Sequence, residues 1–405
     1  MPDREVEFLI VGGGAAAASG ATGLRASGAQ GSILLVGREP DAPYERPPAS
    51  KGYLRGESTR AQLPLHPDAF WAEQDIDLMT RTSVMKLDPA AHTATLSTKE
   101  TVSYGRALVA TGANVRRLRL DGGALEGLHY LRTLGNADTI RSESGSAEHV
   151  VLVGGSYVAC EVAASLTELG KRCTMIMEEH EPLSRGFGDT VGRFARGLLE
   201  KRGIELVCGD PVERFEGDVR VQRVVTRSGR VIPADLVVMG TGAMPDVMLA
   251  RAAGLALGET GGVACDAMLR TSAEDVWAAG DVCEYDSVTY GRRLRIEHWE
   301  VARAQGAVAA ANMLGAGLPY EEVPYFWSDL ADWATLEYVG AGQAWDREVM
   351  RGSIEDGAFT VFYLSRDRLV AAVTAGRSDD LETARTLIAA RTDLSGREVE
   401  LTAGT

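Results

Sequence analysis

Apolar and polar positions divide the chain into short hydrophobic runs that end on glycine, each followed by a small-residue or amphipathic stretch. The first run, Phe8-Leu9-Ile10-Val11, has the continuous apolar pattern of a buried strand. It meets Gly12-Gly13-Gly14, and the alanine-rich stretch that follows predicts a helix from Ala15. A second strand is predicted at 32–36, and short alternating strands occupy 75–109, the last running into Ala110-Thr111-Gly112. The same theme then returns: a strand at 150–153, a turn from Gly154 to Ala159, a helix at 161–169 and a strand at 173–177. A strand at 235–239 ends in Gly240-Thr241-Gly242, echoing the ending at 110–112. The strand at 276–279 ends in Gly280-Asp281, and an alanine-rich helix is predicted at 303–314. From residue 323 aromatic residues cluster, a β-prone run follows at 359–364, and a terminal helix is predicted at 379–391.

A strand, a glycine turn and a helix N-terminus make a phosphate site. The first glycine permits the turn, Gly14 lets a pyrophosphate approach the backbone, and Ala17 keeps the helix close to the strand. Unpaired N–H groups at Ala15 and Ala16 face the phosphates. A carboxylate at the end of the second strand would hold the adenosine ribose, and Glu39 is the candidate. In Tyr44-Glu45-Arg46-Pro47-Pro48-Ala49-Ser50-Lys51, paired prolines stiffen a loop that carries two cations. In the second turn Ser156 replaces the middle glycine, and Glu178 follows its second strand with no adjacent Arg or Lys. A carboxylate there accepts from a ribose 2′-hydroxyl and repels a 2′-phosphate, which favours NADH over NADPH. Two such units in one chain are far more specific than one.

Composition narrows the picture. A chain of 405 residues suggests two or three domains at roughly 150 residues each. The net charge of −15 opposes nucleic-acid binding. No apolar run reaches the roughly 20 residues that cross a bilayer, so no membrane partner is expected. The first strand begins so close to Met1 that a signal peptide has no room, and a cytoplasmic location is the expectation. The cysteines, Cys160, Cys173, Cys208, Cys265 and Cys283, are odd in number and form no CxxC pair, so neither a disulfide framework nor a metal site is expected.

The assembled pattern resembles the FAD-dependent pyridine nucleotide-disulfide oxidoreductases, specifically the ferredoxin and rubredoxin reductase branch, with apoptosis-inducing-factor-like proteins close by. The resemblance spans essentially the whole chain and rests on Val11-Gly12-Gly13-Gly14, the 44–51 stretch, Ala110-Thr111-Gly112, 153–161, Ala279-Gly280-Asp281, Arg295-Ile296-Glu297-His298-Trp299 and Pro324-Tyr325-Phe326-Trp327-Ser328-Asp329. It implies an α/β fold of two Rossmann-like domains, as in glutathione reductase, plus a small α+β domain. The FAD domain would be discontinuous, 1–118 and 244–322, the NAD domain 119–243, and the interface domain 323–405. The FAD contacts would come from Gly12, Gly14, Ala15, Ala16, Glu39, Arg46, Lys51, Val84, Ala110, Thr111, Gly112, Gly280, Asp281, Glu297, His298, Trp299 and Trp327. The NADH contacts would come from Gly154, Gly155, Ser156, Tyr157, Val158, Glu161, Glu178, Gly242 and Glu297. Lys51 paired to Glu161 beside the flavin would be the catalytic pair. The chain departs from the family at Arg38, where an acidic residue is usual, at Ala49 for Leu, and at Ser156 and Ala159 for glycine.

Disulfide reductases of this superfamily carry a redox cysteine pair in the first domain, whereas this chain has no cysteine before Cys160. Electrons should therefore leave from the flavin itself. The leading expectation is an NADH-dependent FAD reductase, a monomer or homodimer, serving a [2Fe-2S] ferredoxin or another small carrier. The alternatives are an NADH oxidase or quinone-type reductase, and a redox-sensing interaction protein of the apoptosis-inducing-factor kind.

Overall fold

The computed structural model describes residues 2–342 and 344–402. By internal contacts the chain divides into two compact units. The first takes the chain up to Glu45, then Leu63–Asn114 and Met244–Phe326. The second takes Arg46–Gln62, Val115–Ala243 and Trp327 onward.

The first unit is built on a seven-stranded sheet. Ile76–Met79, Ile33–Val36, Arg4–Val11 and Thr101–Val109 lie parallel in that order, and Val276–Ala278 pairs parallel with the far end of Thr101–Val109. Two antiparallel strands, Thr93–Leu96 and Val84–Asp88, continue the sheet. The continuous apolar runs are legible as strands because both sheet faces are covered: all four residues of Ile33–Val36 are buried. The helix Ala15–Ala26 packs on Trp299–Met313 through small residues. A Cβ at Gly306 would stand 2.3 Å from the Ala16 carbonyl oxygen, so only glycine allows the approach. The second helix starts at Trp299, four residues before the predicted 303. Extended His298 forms its N-cap, and Glu300 in the first turn suits the positive end of the helix dipole.

The second unit holds a five-stranded parallel sheet, ordered Glu205–Val207, Arg172–Ile176, His149–Val153, Leu236–Met239, Leu128–Tyr130. A three-stranded antiparallel sheet, Val212–Gly217, Val221–Thr226 and Val231–Pro233, packs its apolar residues under it. The helix after the second glycine turn runs Tyr157–Glu168, starting before the predicted 161; Tyr157 and Val158, β-prone by type, hide its first turn in the sequence. The C-terminal portion is a five-stranded antiparallel sheet, Tyr325–Leu330, Ala334–Gly340, Arg368–Ala375, Ala358–Ser365, Arg347–Ser353, covered by the helix Asp379–Ala389. Among the described residues no helix is long and apolar enough to cross a membrane.

Candidate functional site

The first glycine turn has the shape that phosphate recognition needs. Gly12 has φ +136°, and a Cβ there would stand 2.1 Å from the Ala110 carbonyl oxygen. Gly14, extended at φ −94° and ψ −169°, caps the helix and has nothing within 4 Å of its Cβ position. The backbone therefore turns tightly at the first glycine and lies open at the third, with the N–H groups of buried Ala15 and Ala16 at the helix end. Gly280, at φ +80°, packs so close that its Cβ would meet the Ala16 Cβ at 3.1 Å. Its N–H donates to Oε1 of Gln305 at 2.9 Å, a buried contact that the sequence reading did not single out.

Just past the strand Ile33–Val36, Glu39 accepts a hydrogen bond from the Tyr44 hydroxyl at 2.6 Å. Arg38 turns away to Asp246 (2.7 Å) and Asn114 (2.7 Å). Thr111 donates from its hydroxyl to the Asp246 carbonyl at 2.7 Å, Gly112 takes φ +70°, and Ala110 is buried. Val84 opens an antiparallel strand of the same unit. The Asp281 carbonyl accepts from Arg295 at 3.2 Å, and Arg295 also pairs with exposed Glu297. His298 stacks at a tilt on Phe326, with ring centroids 4.1 Å apart, and Trp299 opens the next helix. Nδ1 of His298 is shut off from solvent and has no partner. Burial pushes the imidazole down to about 4, partly opposed by Asp281, so it is neutral at neutral pH.

The second unit brings together Lys51 and Glu161, 110 residues apart in sequence, with Nζ 2.7 Å from Oε2. Two hydroxyls complete the carboxylate. Ser50 donates to Oε2 at 2.5 Å, and Ser328 donates to Oε1 at 2.7 Å. Glu161 and Ser328 are buried, so this carboxylate has exchanged water for one ammonium and two hydroxyls. Ser165 adds a bond to the Ser50 carbonyl at 2.8 Å, which ties the 46–62 segment to the helix Tyr157–Glu168. Ser50 and Ser328 both lie in stretches singled out from sequence, yet nothing in their local context marks either hydroxyl as a ligand of Glu161. Arg46 donates to the Arg132 carbonyl. Trp327, half-buried, precedes Ser328 on the strand Tyr325–Leu330.

The second glycine turn repeats the first with one change. Gly154, at φ +113°, would place a Cβ 2.3 Å from the Gly240 carbonyl oxygen. Ser156 donates from Oγ to that same oxygen at 2.8 Å. Gly155 lies against Met177, whose sulfur would stand 3.0 Å from a Cβ on that glycine. Tyr157 packs edge-on against Phe187, with centroids 5.3 Å apart, and Val158 is exposed. Gly242 takes φ +88°, and Glu178 is exposed. Burial raises the Cys160 thiol far above its ordinary range, which makes it inert. In the first unit, the tight turn at Gly12, the open helix end at Gly14 and the orphaned His298 Nδ1 fit a dinucleotide cofactor with hydrogen-bonding ring edges.

Residues 6–306 match the family described as pyridine nucleotide-disulphide oxidoreductase, and residues 325–400 match the reductase C-terminal family. The ferredoxin reductase subunit of 5,5′-dehydrodivanillate O-demethylase from Sphingobium sp. is 36% identical over 387 residues, covering 94% of this chain and 93% of that protein. Putidaredoxin reductase from Pseudomonas putida is 35% identical over 390 residues, covering 95% and 92%. Among solved structures, a ferredoxin reductase from Rhodopseudomonas palustris superposes with a TM-score of 0.92 at 29% identity, covering 98% of this chain and all of the other. A covalent putidaredoxin reductase–putidaredoxin complex superposes at 0.91 and 33% identity, covering 97% and 94%.

Proposed function

Because the chain belongs to the pyridine nucleotide-disulphide oxidoreductase family, we propose that it is an NADH-dependent FAD reductase that passes electrons to a small iron–sulfur carrier of the ferredoxin type. The observation that carries this reading is the buried Lys51–Glu161 pair, completed by Ser50 and Ser328, in a chain with no cysteine before Cys160. A dithiol relay at the first-domain position that disulfide reductases use has no residues to run on, and a fixed ammonium suits a site where negative charge develops on reduction.

When bound, FAD supplies the hydride-accepting and one-electron-donating chemistry. The residues do the rest. Gly12, Gly14, Ala15 and Ala16 bind phosphate through the backbone. Glu39, with its Tyr44 partner, holds the ribose, and Asp281 holds the ribityl chain. Neutral His298 offers Nδ1 as a hydrogen-bonding atom without adding charge. Lys51, clamped by Glu161, keeps its ammonium in one place. The turn at Gly154–Tyr157 binds the NADH phosphates. We assign FAD to 1–118 and 244–322, NADH to 119–243, and carrier docking to 323–405, and place the reaction in the cytoplasm, where the NADH pool is held.

The test is steady-state NADH oxidation against a panel of [2Fe-2S] ferredoxins, rubredoxins and quinones, with cytochrome c as terminal acceptor for the carriers. Fast cytochrome c reduction only when a ferredoxin is present is the expected result, with flavin reduction in Lys51→Ala slowed at least about tenfold. Rapid turnover with quinones alone overturns the carrier assignment, and an unchanged reduction rate in stopped flow removes Lys51 from the chemistry.

A further inference from the structure

The two glycine turns are related by more than sequence, and their backbone hydrogen bonds give a residue-by-residue correspondence. Gly12 N–H donates to the Val36 carbonyl at 2.9 Å, and Gly154 N–H donates to the Ile176 carbonyl at 2.7 Å. One residue on, Gly37 donates to Met79 and Met177 donates to Val207. The carbonyls of Gly37 and Met177 then accept from Thr82 and Asp210, and those of Glu39 and Glu179 accept from Arg81 and Gly209. Gly37 is therefore matched by Met177, Arg38 by Glu178, and Glu39 by Glu179.

The side chains follow the backbone. Exposed Arg38 and exposed Glu178 occupy the outward-facing position. In the second unit the carboxylate that faces the turn belongs to Glu179, whose Oε2 would stand 3.4 Å from a Cβ on Gly155. Its side chain is only 22% exposed, and Oε1 lies 3.6 Å from Nε of Arg185, which is 79% exposed. A carboxylate beside a phosphate turn, at the end of the second strand of the unit, is where an adenosine ribose presents its hydroxyls.

Resting on the reading of the second unit as the NADH site, we propose that Glu179, rather than Glu178, is the residue that selects NADH over NADPH, and that Arg185 is a cation it keeps occupied. Glu179 acts twice in the same direction. It repels a 2′-phosphate directly, and by pairing with Arg185 it engages a guanidinium that would otherwise receive that phosphate. The signal lies in the register of the repeat, because Glu178 and Glu179 are adjacent identical residues that local sequence does not separate.

The experiment compares the FAD-loaded protein with Glu179→Gln, Glu178→Gln and the double variant Glu179→Gln/Arg185→Ala. Binding of ADP and of 2′,5′-ADP is measured by calorimetry, and NADH and NADPH are compared by kcat/KM. Glu179→Gln should raise the affinity for 2′,5′-ADP relative to ADP by about tenfold, with a parallel shift in kcat/KM. Glu178→Gln should leave both ratios where they are, and adding Arg185→Ala should remove most of the gain. A Glu179→Gln ratio equal to wild type, or a shift seen in Glu178→Gln instead, overturns the assignment. A gain that survives Arg185→Ala overturns the role given to Arg185. If the unaltered protein binds neither ADP nor NADH, it is the NADH reading of the second unit that falls.

Discussion

The two glycine turns use one backbone plan and finish it differently. At the first, Gly12 closes against the Ala110 carbonyl and Gly14 is left open, with nothing near its Cβ position. At the second, Gly154 closes against the Gly240 carbonyl, and the Ser156 hydroxyl bonds to that same oxygen. The wider surroundings differ in the same sense. The first unit leaves the buried His298 Nδ1 without a partner, whereas the second surrounds Glu161 with Lys51, Ser50 and Ser328. The first unit thus keeps a buried hydrogen-bonding valence unfilled by protein. In the second, the Glu161 carboxylate is satisfied by partners from the protein itself.

The comparison breaks most sharply at the first glycine of each turn. Gly12→Ala drives a methyl into a backbone oxygen at a φ that L-residues avoid, and should cost at least about 4 kcal/mol. The purified variant should carry little flavin absorbance per polypeptide. Gly154→Ala should instead retain flavin and lose NADH binding; equal flavin loss in both variants would contradict the division of cofactors.

A smaller effect separates the units by pH. The folded His298 resists protonation to about pH 4, while an unfolded histidine protonates near 6.5. Because the folded value is depressed, this stability is fully present above the unfolded value and is lost as pH falls from about 6.5 towards 4, by about 3 kcal/mol. In urea unfolding of the flavin-free protein, His298→Gln should flatten that part of the pH dependence. A slope identical to that of the unaltered chain would show that His298 is not the group responsible.

The smallest effect is at Ser156, where Ser156→Gly makes the second turn like the first. It removes one neutral hydrogen bond, worth about 1 kcal/mol, and should change KM for NADH by a few-fold with kcat nearly constant. A large fall in kcat would mean that the serine does more than tie the turn to Gly240.

The sequence by itself determined the strands, the turns and their repetition, because buried parallel strands read as continuous apolar runs and tight turns demand glycine at fixed offsets. It also excluded a first-domain dithiol relay through the absence of cysteine before Cys160, and the resemblance singled out Lys51 and Glu161 as a pair. Tertiary structure alone decided who completes Glu161, since Ser50 and Ser328 approach it from 111 and 167 residues away and a hydroxyl carries no local sign of its partner. It decided that Gln305 supports Gly280, that Nδ1 of His298 is orphaned, and that Glu179 is the carboxylate facing Gly155. Local sequence encodes backbone shape through steric preference and periodicity. Which polar atom meets which is set by the packing of elements distant in the chain.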